Sequence, residues 1–240
     1  MPLKHWDINI YRGILTGYNE AFIIDGKKKD ELIAEDPKSA EIIRPILRGR
    51  DIKRYGYDFA DLWLINSHNG IKEKGVKRIE INDYPSIKKH LDQYYPQLEK
   101  RADKGDTPYN LRNCAYMEDF SKQKIAWNRI ASEKLFSLVD EGIIIQDSMH
   151  FFTGNHLKFL CAILNSKLFS WFMYLIIGDT AGGNAGNSDN IRNLTIPKPN
   201  RELEIQIERL IKSEQYREID KVVYKLYDIS EQEIAFIDAQ

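Results

Sequence analysis

Residues 157–177 limit what this chain can fold into. They form its most apolar stretch, interrupted by Lys158, Asn165, Ser166 and Lys167. The cleanest part, residues 168–177, falls well short of the roughly 20 residues a membrane-spanning helix requires. The stretch therefore predicts one long helix buried in a core rather than a membrane segment.

The remaining pattern supplies elements to bury it. Short apolar runs at residues 8–11, 21–24, 124–130, 136–139, 143–145, 149–153 and 194–196 have the length and bounding turns of strands. Residues 55–66 predict a hairpin whose second strand, Leu62-Trp63-Leu64-Ile65, is apolar on both faces and so central. Gly17 and Asn19 suit a turn after the first strand, and Asp140-Glu141-Gly142 suits another. Helical patterns cover residues 27–35, which Asp36-Pro37 ends, and a short segment capped by Ser39 that carries Ile42, Ile43 and Ile46. A charged amphipathic helix follows over residues 86–102, then a loop over 103–108. From Arg201 onward the pattern is helical. Helices and strands mix without a regular βαβ rhythm, so the fold class is α+β, with a mixed sheet, a long core helix and a C-terminal helical segment. The organisation expected is a body over residues 1–199 and a packing or dimerisation segment over 200–240.

Charge is distributed unevenly over the 240 residues. The net is −1, but residues 201–240 carry ten acidic and six basic side chains, a local −4 that leaves +3 on the rest. An acidic tail is a poor polyanion contact and a better protein contact. Cys114 and Cys161 stand far apart without metal-ligand spacing, as expected of free thiols in a reducing cytosol. The N-terminal Met-Pro-Leu-Lys-His-Trp-Asp has no apolar core of a secretion signal.

Enzyme signatures are scarce. The sequence has no Gly-x-Gly-x-x-Gly after a strand, no Walker loop, no Gly-x-Ser-x-Gly elbow and no Asn/Asp-Pro-Pro-aromatic tetrapeptide. The five histidines (His5, His68, His90, His150 and His156) form no His-x-x-x-His pair, so no metal site is expected. Asp25 with Asp36-Pro37-Lys38, and Asp36 with Asp51-Ile52-Lys53, fit the short Asp…Asp-x-Lys nuclease pattern, which arises by chance in a chain this rich in Asp, Glu and Lys.

Binding signals are stronger. Residues 44–55 carry five basic side chains, and Arg48-Gly49-Arg50 sets two guanidiniums beside a residue that lets backbone approach a phosphate. Arg112-Asn113 and Asn128-Arg129 pair the side chains that read guanine and adenine edges in bidentate fashion. Residues 178–190, Gly-Asp-Thr-Ala-Gly-Gly-Asn-Ala-Gly-Asn-Ser-Asp-Asn, are a glycine- and amide-rich loop suited to ordering against a large polar ligand.

These segments, in this order, resemble the C-terminal specificity domain of TaqI-like DNA methyltransferases, which also serves as the target-recognition part of type IIG restriction-modification enzymes. The resemblance rests on Thr-Gly-Tyr-Asn-Glu-Ala-Phe (16–22), Arg-Gly-Arg-Asp-Ile-Lys-Arg (48–54), Leu-Arg-Asn-Cys-Ala-Tyr (111–116), Lys-Ile-Ala-Trp (124–127), Leu-Cys-Ala-Ile-Leu-Asn-Ser-Lys-Leu (160–168) and Ile-Arg-Asn-Leu-Thr-Ile-Pro-Lys-Pro (191–199). It implies double-stranded DNA as partner, a bacterial or archaeal cytoplasmic setting, and a separate adenine-specific methyltransferase domain, in cis or trans, that holds S-adenosylmethionine. No cofactor is expected in this chain itself. Met1 is then expected to mark an internal boundary, a split gene or a truncated reading frame. Phosphates are assigned to Arg12, Arg48, Arg50, Lys53 and Arg54. Base recognition is assigned to loops carrying Thr16, Asn19, Tyr109, Arg112, Asn113, Asn128, Arg129, Gly183, Asn184, Asn187, Ser188, Asn190 and Arg192. Residues 201–240 offer a surface for helix–helix self-association. Two other readings stay open: a magnesium-dependent nuclease, and an interaction module without DNA binding.

Overall fold

Strand alternation sends side chains to opposite faces of a sheet, and here both faces are buried. In the computed structural model, which describes residues 1–130, 135–177 and 188–239, strands β1 (Ile8–Arg12), β8 (Met149–Gly154), β5 (Lys124–Asn128) and β6 (Phe136–Val139) form an antiparallel sheet in the order β1-β8-β5-β6. Ile125, Trp127 and Phe152 enter one core, while Ala126, Met149 and Phe151 enter a second core on the other side. A second sheet, β2 (Ile23–Asp25), β4 (Leu62–Ile65), β3 (Ile43–Leu47) and β7 (Ile144–Ile145), belongs to that second core. Its β3/β7 pair is parallel and the others are antiparallel, so the α+β class and the mixed sheet stand. β4 lies between β2 and β3, the central position its apolar sequence predicts.

Helices α1 (Asn19–Phe22), α2 (Gly26–Glu35), α3 (Pro85–Asp92) and α4 (Tyr95–Lys100) pack on the second sheet's core. Helices α5 (Leu157–Asn165), α6 (Lys167–Ile177), α7 (Ser188–Asn193), α8 (Arg201–Lys212), α9 (Tyr216–Leu226) and α10 (Glu231–Asp238) cover the other. Ile207, Ile219, Val223 and Ile237 from the C-terminal helices share a core with Trp127 and Leu160.

Several expectations need correction. Residues 157–177 are two helices, not one. Ser166 has extended backbone, the Asn165 amide clasps Phe136 (Nδ2 to O 2.7 Å, N to Oδ1 3.0 Å), and the Lys167 N–H donates to Asp220 of α9 at 2.8 Å. Asn165, Ser166 and Lys167, which interrupt the apolar run, thus make a corner. The amphipathic stretch 86–102 also breaks, before Pro96, whose ring would clash with the carbonyl four residues back. Ser39 caps no helix carrying Ile42, Ile43 and Ile46. Its hydroxyl meets Ser86 at 2.8 Å, and Ile43 and Ile46 lie in β3. Pro45 is tolerated there because β3 changes partner next to it, from β4 to β7. Ala21 and Phe22 lie in the α1 turn rather than a strand. The 55–66 hairpin has only its second strand, and residues 194–196 make a single bridge, Pro2 with Thr195.

Lys124 is fully buried on the second core's side, with Nζ donating to the Ile143 and Asp140 carbonyls at 3.1 and 3.3 Å. Burial pushes its ammonium down to about 8. A lysine depressed in the folded state binds fewer protons than in the unfolded chain between about 8 and its ordinary 10.5. Stability contributed at this position therefore rises with pH across that window. Denaturant unfolding of wild type and Lys124→Met across pH 7–11 is expected to show a difference that changes in this direction by up to about 3 kcal/mol. A pH-independent difference contradicts it.

Candidate nucleic-acid interface

A cleft of about 860 Å³ opens where the ends of both sheets meet. Five segments build it: Asn19 and Glu20 of α1 with Ile23 of β2; Arg48, Gly49 and Arg50 after β3; Leu62 of β4; Asn128, Arg129 and Ile130 at the end of β5; and Gln146 and Ser148 between β7 and β8. Because β5 is buried up to Trp127, only its C-terminal end can supply surface groups, and that end carries Asn128 and Arg129.

The Arg-Gly-Arg-Asp segment is a short 3-10 turn held by Asp51. Its carboxylate accepts from the Arg48 backbone N–H at 2.8 Å and from the Arg48 guanidinium at 3.0 and 2.9 Å. Burial pushes the Asp51 carboxyl up, but the hydrogen bonds from Arg48 outweigh it and hold the group below its ordinary value. Arg48 is therefore committed to shaping the loop. Arg50 is exposed and forms no ion pair among the described residues. Between them, Gly49 accepts a hydrogen bond from Asn128 Nδ2 at 2.9 Å, and a Cβ on Gly49 would stand 2.1 Å from Asn128 Oδ1. The glycine thus allows contact between the two segments.

A second group of cations adjoins this one. Asp147 accepts from Arg12 Nη2 at 2.8 Å and lies 3.9 Å from Arg129 Nη1, which also donates to the Asp147 carbonyl at 3.3 Å. Burial lowers the proton affinity of His150, and the charges of Arg129, Arg12 and Arg192 lower it further. Arg12 of β1, Arg129 just past the end of β5 and Arg192 of α7 thus all bear on one histidine, and Asp147 is the carboxylate that Arg12 and Arg129 share. Their combined field favours a polyanion.

The structure divides the other assigned residues. Thr16 is buried, and its hydroxyl donates to Asn19 Oδ1 at 2.6 Å, so it supports Asn19 from behind rather than presenting a surface group. Lys53 pairs with Asp58 at 3.4 Å. Arg54 exerts its charge on Asp220 and Tyr216 of α9, and neither Lys53 nor Arg54 lines the cleft. Tyr109 donates to Asp92 at 2.6 Å, and Asn113 accepts from Asn69 at 2.5 Å. Arg112 pairs with Asp103 at 3.2 Å, beside the turn at Gly17. These three lie outside the cleft lining. Gly183, Asn184 and Asn187 fall outside the described residues, while Ser188 and Asn190 belong to the backbone of α7.

Sequence reasoning missed Glu20, Ile130, Gln146 and Ser148. Gln146 and Ser148 follow a two-residue strand, and no spacing pattern links them to residues 48–50; only the parallel β3/β7 pairing does. The carboxylates of the nuclease pattern have other duties. Asp25 caps α2, accepting from Lys28 N at 2.7 Å; Asp36 accepts from Lys38 N at 3.2 Å; and Asp51 holds Arg48. Among the described residues no group of three or more His, Cys, Asp or Glu is placed to hold a metal ion.

Residues 44–183 match the family model described as the TaqI-like C-terminal specificity domain. Comparison with curated proteins gives no match. The fold is shared with solved structures that include two restriction enzymes. The type IIL restriction-modification enzyme MmeI, in complex with DNA, aligns with a TM-score of 0.63 at 13% identity, over 100% of this chain and 36% of that one. The type IIG restriction endonuclease BpuSI aligns with a TM-score of 0.57 at 18% identity, over 88% of this chain and 26% of that one. The chain thus spans only a minor part of either enzyme.

If Gly49 matters only because Asn128 reaches it, Gly49→Ala is expected to cost about 1 kcal/mol of stability, the worth of one hydrogen bond. The same substitution is expected to cost almost nothing in an Asn128→Ala background. Equal costs in the two backgrounds contradict that coupling.

Proposed function

The chain belongs to the family of TaqI-like C-terminal specificity domains, and we propose that it recognises a specific sequence of double-stranded DNA on behalf of a restriction-modification enzyme. The observation that carries this reading is the cleft itself. Arginines from separate segments stand at its rim, and the amides of Asn19, Asn128 and Gln146 lie among them. Guanidiniums suit phosphates and position the duplex, while amides and hydroxyls suit base edges. In this reading Arg50, Arg129 and Arg12 hold the backbone, and Arg48 keeps the loop in shape.

The catalytic work belongs to another domain, in cis or in trans. The family resemblance supports an adenine-specific methyltransferase that binds S-adenosylmethionine, with an endonuclease as a companion activity. Residues 1–199 then form the recognition body, and residues 200–240 the helical segment that meets a protein partner. Its exposed Ile205 and Phe236 suit the catalytic domain or a second copy. No helix among the described residues is long and apolar enough to cross a membrane, and the setting proposed is the cytoplasm.

Fluorescence-anisotropy titration against duplex DNA at several salt concentrations tests the reading. Each phosphate neutralised contributes about 0.9 to the log–log slope. Arg50→Ala is expected to weaken binding to all sequences alike and to lower the slope by about 1. Salt-insensitive binding, or an unchanged slope for this variant, contradicts the assignment.

A further inference from the structure

Within the cleft, one residue has its main chain fixed by neighbouring backbone yet leaves its side-chain amide unused. Gln146 follows β7, and its main chain is fixed three times over. Its N–H donates to Leu47 O at 3.0 Å, its carbonyl accepts from Met149 N at 3.0 Å, and it bridges Ile14 in parallel fashion. Gly13 packs so tightly on it that a Cβ there would stand 2.1 Å from the Gln146 carbonyl oxygen. The neighbouring Asp147 is turned to Arg12 and Arg129, while Gln146 lines the cleft together with Ser148. Among the described residues that side chain has no hydrogen-bond partner. Asn128 and Asn19, by contrast, are each partly used, by Gly49 and by Thr16.

A primary amide offers one donor and one acceptor side by side. The major-groove edge of adenine offers the matching pair, N7 as acceptor and the N6 amino group as donor. Recognition is most selective when the reading group is held in place before the ligand arrives. We infer that Gln146 is a specificity-determining residue that reads one adenine of the target through its major-groove edge. This inference rests on the DNA-recognition reading above and assigns it a single base and a single side chain.

The test is sequencing of DNA bound by the full chain from a randomised duplex pool, with wild type, Gln146→Ala, Gln146→Glu and Arg50→Ala side by side. Wild type is expected to enrich a short motif that contains adenine. Gln146→Ala is expected to lose the preference at one adenine position by about fivefold or more while the other positions keep theirs. Gln146→Glu, nearly the same shape but acceptor only, is expected to favour cytosine there, whose N4 amino group is a donor. Arg50→Ala is expected to lower the yield for every sequence without altering the motif. If both Gln146 variants enrich the wild-type motif while Arg50→Ala loses yield, Gln146 does not read a base but the DNA reading stands. If wild type retains no DNA, the DNA reading and this inference both fall.

Discussion

A sheet buried on both faces can present only its ends, and that constraint organises this protein. Every residue of β5 from Lys124 to Trp127 is buried, with alternate side chains committed to two different cores. The second core's side accepts even a lysine, held by two backbone carbonyls. What remains for function lies where strands stop: Asn128 and Arg129 at the end of β5, Arg48 to Arg50 after β3, and Gln146 and Ser148 after β7. The two sheets place these ends side by side because β7, in the connection between β6 and β8 of the first sheet, pairs with β3 of the second.

Electrostatics within the cleft follows from how each arginine is already engaged. Asp51 neutralises Arg48 in a partly buried, doubly hydrogen-bonded pair, an arrangement that is costly to break. Asp147 is shared by Arg12 and Arg129, so one carboxylate faces two cations and the group retains positive charge. Arg50 is unpaired. A phosphate therefore meets Arg50 without displacing a carboxylate, and meets Arg12 or Arg129 in competition with Asp147. Basic residues close in sequence, such as Lys53 and Arg54, contribute elsewhere: one pairs with Asp58 and the other faces α9.

Much of this was legible in the sequence. Apolar runs located most of the strands, Asp36-Pro37 marked the end of α2, and the paired Asn-Arg at 128–129 pointed to the cleft. The rest depended on long-range contacts. The corner at Asn165 and Ser166 arises from hydrogen bonds to Phe136 and from Asp220 waiting beyond it, neither visible in a helical pattern. Ile43 and Ile46, three residues apart, have helical spacing, and their pairing with β4 and β7 is what makes them a strand instead. Thr16 has the residue type of a DNA contact but is spent holding Asn19, and burial is a property of the fold rather than of the residue. Gln146 carries no local signature at all.

The central claim is that the duplex lies against the strand ends and not against the acidic C-terminal helices. Hydrogen–deuterium exchange of the full chain with and without duplex DNA tests it most directly. The account predicts new protection at residues 48–50, 128–130 and 146–148, with α8 to α10 unchanged. Protection confined to α8–α10, with the strand ends exchanging as before, would contradict it.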